Sequence, residues 1–139
     1  MNRSATAGLR QLPIFAALPK RALITASSLL TPVTFADGDV LCEEGHRGRE
    51  AFIIVSGSAV VSRGDEVLAT VGAGDLVGEL ALLGDGLRTA SVTAIEPIRA
   101  YVMSAQEFNS VLALPGVANA IRHVADERRT TNQHPVAAA

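Results

Sequence analysis

Cysteine, tryptophan and lysine are almost missing from this 139-residue chain, which has one Cys, no Trp and a single Lys, Lys20. A lone Cys42 cannot close an internal disulfide, which fits a reducing, cytosolic-type compartment. Only five residues are aromatic (Phe15, Phe35, Phe52, Phe108 and Tyr101), so the core must be mostly aliphatic. Apolar runs such as Ala51–Val55 fall far short of the roughly 18–20 residues a membrane helix needs, and no membrane association is expected. Met1–Arg10 lacks a basic start followed by a long apolar stretch, so no signal peptide is expected either. An excess of one charge is also missing. Twelve Lys and Arg against fourteen Asp and Glu leave −2, which excludes binding of nucleic acid by bulk charge. His46, His123 and His134 are scattered without metal-ligand spacing, and no Ser stands in a nucleophile-elbow context. Neither a metal nor an enzymatic activity is expected.

What the chain does have is enough apolar material, 48%, for one core, and twelve glycines that punctuate it. The glycines divide short apolar runs: Val40–Cys42, Ala51–Val55, Ser58–Ser62, Val67–Val71, Leu76–Val77, Ala90–Ala94 and Ile98–Met103. Asp37-Gly38-Asp39, Ser56-Gly57 and Gly72-Ala73-Gly74-Asp75 between them are turn chemistry. Arg63-Gly64-Asp65-Glu66 reads as a hairpin. Strands this short and regular point to a β-sandwich or barrel. Through Ile98–Met103, residues 98, 100 and 102 alternate with bulkier 99, 101 and 103, which puts one set inward and the other toward a neighbour or solvent.

Helices belong at the two ends. Leu18–Leu30 has a helical apolar stripe, with Pro19 suited to its first turn and Pro32 to its stop. Ser104-Ala105-Gln106-Glu107 has capping-box spacing and predicts a helix start. Pro115-Gly116 should break that helix, which restarts over Val117–Arg129 with Val117, Ala120, Ile121, Val124 and Ala125 on one face. The domain is expected over residues 12–129, between a flexible N-terminus, 1–11, and a disordered tail, 130–139. That tail has no room for a helix-turn-helix, so no nucleic acid partner is expected.

Val77 to Val92 carries the chemistry. A strand ends at Gly78, a short helical turn Glu79–Leu83 follows, and a glycine loop presents Arg88. Unpartnered N–H groups at a helix start and the helix dipole favour an anion, and Gly78 admits close approach. Arg88 offers a guanidinium fork to two phosphate oxygens. Glu79 would repel a free phosphate but suits a sugar hydroxyl beside one. The ligand suggested is a nucleotide with a singly charged phosphate and a free ribose hydroxyl.

Gly78-Glu79-Leu80-Ala81-Leu82-Leu83 and Arg88-Thr89-Ala90-Ser91-Val92 resemble the phosphate-binding cassette of the cyclic nucleotide-binding domain family. So do Pro13-Ile14-Phe15, Phe35-x-x-Gly38-Asp39, Glu44-Gly45, Phe52-Ile53-Ile54-x-x-Gly57 and Gly74-Asp75. The resemblance covers about Leu12 to Arg129. It implies a mainly β, α+β jelly roll with N-terminal and C-terminal helices, and a sensor module without catalytic activity. It further implies that Arg88 pairs with a cyclic phosphate and Glu79 with the ribose 2′-hydroxyl. Gly78, Leu80 and Ala81 would hold the sugar-phosphate through their backbone, and Thr89 and Ala90 would add contacts to phosphate or base. Leu68 and Val71 fall where the family packs the purine. Two positions depart from the pattern. Leu87 replaces a proline before the arginine, and Val55 falls where some relatives place an acid that steadies it. Without ligand, Arg88 is then expected to be either mobile or bonded to backbone carbonyls.

The expected ligand is cyclic AMP in preference to cyclic GMP, with no cofactor. The expected partner is an effector outside these residues, as a separate protein or a further domain. The alternative is a ligand-free protein-interaction module on the same fold; Glu79 and Arg88 together favour the sensor.

Overall fold

Short apolar runs between turns fold as strands, and the computed structural model, which describes residues 8–121, contains eight. They are β1 (Thr31–Phe35), β2 (Val40–Cys42), β3 (Glu50–Ser56), β4 (Ala59–Arg63), β5 (Glu66–Val71), β6 (Leu76–Val77), β7 (Ser91–Ala94) and β8 (Ile98–Ser104). Helices α1 (Lys20–Ser28), α2 (Glu79–Leu83) and α3 (Ala105–Leu112) accompany them, and residues 8–10 and 117–121 are also helical. One sheet runs β1-β8-β3-β6 and the other β2-β7-β4-β5, with antiparallel pairing. This is the expected jelly roll.

The strands β3, β6 and β8 are buried on both faces. Phe52, Ile54, Val77, Ile98 and Ala100 point into the roll, where they meet Leu41, Val61, Val71 and Val92 of the opposite sheet. Their neighbours Ala51, Ile53, Leu76 and Met103 point outward into a second cluster, with Leu9, Phe15, Leu23, Phe108, Val111 and Val117. A strand covered on both sides needs apolar residues at every position, which is why Ala51-Phe52-Ile53-Ile54 shows no polar alternation. The outward half of the β8 alternation therefore meets helices as well as solvent.

At the N-terminal end, Leu9 and Leu12 are buried, so packed structure begins before Leu12. α1 starts one residue after Pro19, which caps it in an extended conformation, and ends at Ser28, ahead of Pro32. Pro32 lies inside β1, a strand the sequence pattern did not predict. β1 is an edge strand bonded only to β8, where a residue without an N–H loses no inner ladder bond. At the other end the capping box of α3 is complete. Ser104 Oγ accepts from the Glu107 N–H at 3.1 Å, and the Ser104 N–H donates to Glu107 Oε1 at 2.8 Å. The chain turns at Pro115-Gly116, with Gly116 at φ 82°, and resumes as helix from Val117. Residues 122–129 of the expected last helix, and the expected tail, lie outside the described residues.

Adjacent residues of β3 test this two-sided burial. Ile53→Ala and Ile54→Ala should each cost about 2–5 kcal/mol in urea unfolding, because each leaves a cavity in a different cluster. An outer face open to solvent would leave Ile53→Ala within about 0.5 kcal/mol of the native protein.

Candidate functional site

The site begins where β6 runs out. Gly78 follows Val77 with φ 89°, a left-handed turn that a side chain would strain, and α2 starts at the next residue. α2 is brief and closes with the Gly84 N–H donating to the Leu80 carbonyl at 3.0 Å. Ala81 is buried, Leu80 half-buried, and Leu82 packs against the outer, helix-side cluster. The loop then returns through Leu87, 43% exposed, to Arg88, which is 7% exposed and the one buried charged residue among those described.

A buried guanidinium must have acceptors, and the fold supplies carbonyls. Arg88 Nη1 donates to the Gly78 carbonyl at 2.8 Å, and Nη2 to the Glu50 carbonyl, at the head of β3, at 2.9 Å. Two glycines make room for the group. A Cβ on Gly48 would stand 2.6 Å from Arg88 Cζ and Nε and from the Ala81 methyl, and one on Gly78 would stand 2.6 Å from Arg88 Nη1. The main chain of Arg88 is held by the β2–β3 loop. The Arg88 N–H donates to the His46 carbonyl at 2.8 Å, and its carbonyl accepts from the Gly45 N–H at 2.9 Å. The Gly48 N–H donates to the Gly86 carbonyl at 2.7 Å, and Arg47 bridges Leu87.

Glu79 stands half-buried at the first position of α2, with Oε2 shielded from solvent. Thr89 is exposed, and its carbonyl accepts from Arg63 Nε at 3.0 Å. Ala90, Val71 and the half-buried Leu68 all join the cluster inside the roll. Gly78, Glu79, Leu80, Ala81, Arg88, Thr89 and Ala90 thus lie along one stretch of chain, with Leu68 and Val71 on β5, two places from β7 in the same sheet. Val55 is not beside Arg88. It borders a surface groove with Pro32, Val33, Arg99 and Tyr101, and the β3 residue that reaches Arg88 is Glu50, through its carbonyl.

Sequence reasoning missed three contributors. Gly48 and Glu50 act through a missing side chain and a carbonyl, which residue-type patterns do not report; the close spacing of Gly45 and Gly48 was the available signal. As residue types, Arg47, Arg49 and Glu50 read as a solvated loop. Their side chains are exposed, but the backbone of this loop clasps the cassette. The third is Cys42, a buried packing residue within electrostatic reach of Arg88, Glu79 and Glu50. Among the described residues, no three His, Cys, Asp or Glu side chains converge as a metal would require. No helix among them is long and apolar enough to cross a membrane.

Residues 32–114 match the family model of the cyclic nucleotide-binding domain. Over 104 residues, 75% of this chain, the sequence is 34% identical to a cAMP-dependent protein kinase regulatory subunit of Hypocrea atroviridis, covering 22% of that protein. Over 133 residues, 91% of this chain, it is 32% identical to a CRP-like cAMP-activated global transcriptional regulator of Mycobacterium tuberculosis, covering 59% of it. Among solved structures, a cAMP-binding acyltransferase from Mycobacterium smegmatis superposes with a TM-score of 0.76 at 30% identity, over 92% of this chain and 41% of that one. The chain therefore spans only part of the length of these relatives.

Burial pushes the Cys42 thiol up from 9.0 to about 11; Arg88 pulls it down, while Glu79 and Glu50 push it further up. A thiol raised on folding stays neutral in the native state while the unfolded chain ionises. Its contribution to stability is full below pH 9 and is lost as pH rises toward 11. Urea titrations across that window should show the native protein losing stability with a slope approaching about 1.4 kcal/mol per pH unit from this group. Cys42→Ala should lack that component; identical slopes for the two proteins would contradict it.

Proposed function

The chain belongs to the cyclic nucleotide-binding domain family, and on that premise we propose that it is a regulatory sensor. It binds one cyclic nucleotide, cyclic AMP in preference to cyclic GMP, and leaves the ligand chemically unchanged. The observation that carries this reading is the seat of Arg88: a buried guanidinium in a slot between Gly48 and Gly78, with Glu79 directly after Gly78. Such a slot is costly to build, since a buried charge needs every acceptor the backbone provides, and an anionic ligand gives it a purpose.

In this reading Arg88 pairs with the cyclic phosphate, and Glu79 accepts from the ribose hydroxyl. The backbone of Gly78, Leu80 and Ala81 holds the sugar-phosphate. Thr89 and Ala90 supply contacts at the phosphate-base junction, and Leu68 and Val71 flank the purine. No residue here supplies a nucleophile or a general base to the ligand, so occupancy is the signal. The signal leaves through the helix that resumes at Val117, whose first residue is buried in the helix-side cluster that Leu82 of the cassette also packs against. A ligand shifts that helix only by its differential affinity for two arrangements; a tenfold preference supplies about 1.4 kcal/mol and a near-complete switch needs about 5.5. An effector protein or domain reads the result.

Calorimetric titration of the whole chain with cyclic AMP and cyclic GMP tests the binding. Arg88→Ala should weaken binding of cyclic AMP by about 2–4 kcal/mol, roughly 30- to 1000-fold. Glu79→Ala should lose less, about 1–2 kcal/mol, because it gives up bonds to neutral hydroxyls. Equal affinity in the native protein and Arg88→Ala would mean that the phosphate lies elsewhere. Binding of neither nucleotide would favour a protein-interaction module.

Amide exchange tests the output. Saturating nucleotide should protect residues 78–90 and change the exchange of residues 117–129. Protection confined to the cassette would show binding without a signal through the helix.

A further inference from the structure

Arg63 closes the β4–β5 hairpin. Its backbone pairs with Glu66 across the turn at Gly64-Asp65, and so leads directly into the strand that carries Leu68 and Val71. On its other edge β4 pairs with β7, but that ladder stops at Ser62 opposite Ser91. A next rung would need Ala90, whose chain has already turned away, because residues 86–88 bond to the β2–β3 loop instead. The side chain of Arg63 bridges the gap, with Nε donating to the Thr89 carbonyl at 3.0 Å.

A second set of bonds ties the same three segments. Glu44 Oε1 accepts from the Gly64 N–H at 2.8 Å, and the Glu44 N–H donates to Ser91 Oγ at 3.0 Å. The turn of the hairpin, the β2–β3 loop and the exit of the cassette are thus laced together. The Arg88 guanidinium rests on the Gly78 and Glu50 carbonyls, and its main chain on Gly45 and His46.

We propose that Arg63 is a positioning residue for nucleotide binding: by holding the Thr89 carbonyl against the hairpin, it fixes the spacing between the phosphate end of the site and the strand that meets the base. The inference rests on the nucleotide-binding reading above and adds a residue that acts through Thr89 and not on the ligand. The spacing matters only to a ligand that touches both ends. A sugar-phosphate without a base depends on Arg88, Glu79 and the α2 backbone, and the bonds of Arg88 to Gly78, Glu50, Gly45 and His46 do not pass through the Thr89 carbonyl.

The test is competition calorimetry on the whole chain with cyclic AMP and with a base-free methyl riboside cyclic phosphate. Arg63→Met keeps the aliphatic stem and removes the donor; Arg63→Lys restores a cationic donor. Arg63→Met should weaken cyclic AMP about fivefold, the size of one partly exposed hydrogen bond, and leave the base-free analogue unchanged. Arg63→Lys should recover most of the loss. Equal weakening of both ligands would mark Arg63 as a support of the fold alone, and no change in either would remove its role; both overturn the proposal while nucleotide binding stands. A native protein that binds neither ligand would overturn the nucleotide-binding reading and this inference together.

Discussion

A guanidinium withdrawn from water is the constraint around which this domain is arranged. Arg88 carries a permanent charge out of solvent, and that charge is tolerated only where acceptors are fixed in place. The Gly78 carbonyl is available because the backbone takes a left-handed turn there, and the Glu50 carbonyl because β3 begins beside it. The turn at Gly78 in turn decides where α2 starts and so where Glu79 stands. Gly48 must lack a side chain for the same reason, since its place is taken by the arginine. One buried cation thus dictates the residue type at two glycines and the path of two loops.

The two-faced sheet gives that site its surroundings. β3 contributes Phe52 and Ile54 to the roll that contains Ala90 and Val71, and Ala51 and Ile53 to the layer that contains Phe108 and Val117. α2 packs Ala81 at the arginine slot and Leu82 against the helix layer. The short helix thus links the arginine slot to the helix layer through close-packed contacts.

Most of the architecture was legible because glycine turns, period-two runs and a capping box are local signals. Seven of the strands and the start of α3 follow from them. β1 was not legible, because Pro32 reads as a helix stop and the tolerance of proline at a sheet edge depends on which strand lies next to it. In the site, Gly78, Glu79 and Arg88 were legible as side-chain chemistry on contiguous chain. Gly48, Glu50 and Arg63 were not, since they contribute space, a carbonyl and a cross-strand reach. Each of those is defined only after distant segments have met. The position of Val55 was misjudged for the same reason, as sequence offset along β3 does not tell which end of the strand faces the arginine.

The bonds that fix the cassette also have a temporal side. Glu50 to Arg88 spans 38 residues of chain, Arg63 to Thr89 spans 26, and Glu44 to Ser91 spans 47. Each such closure costs chain entropy before it returns any stabilisation, and contacts of this kind form late in folding. The β4–β5 hairpin, joined by a two-residue turn, has no such delay. During synthesis the arginine slot therefore cannot exist while the chain ends short of β7, however well formed the earlier strands are. The slot is complete only once the roll has closed, and a partly folded form of the domain lacks it.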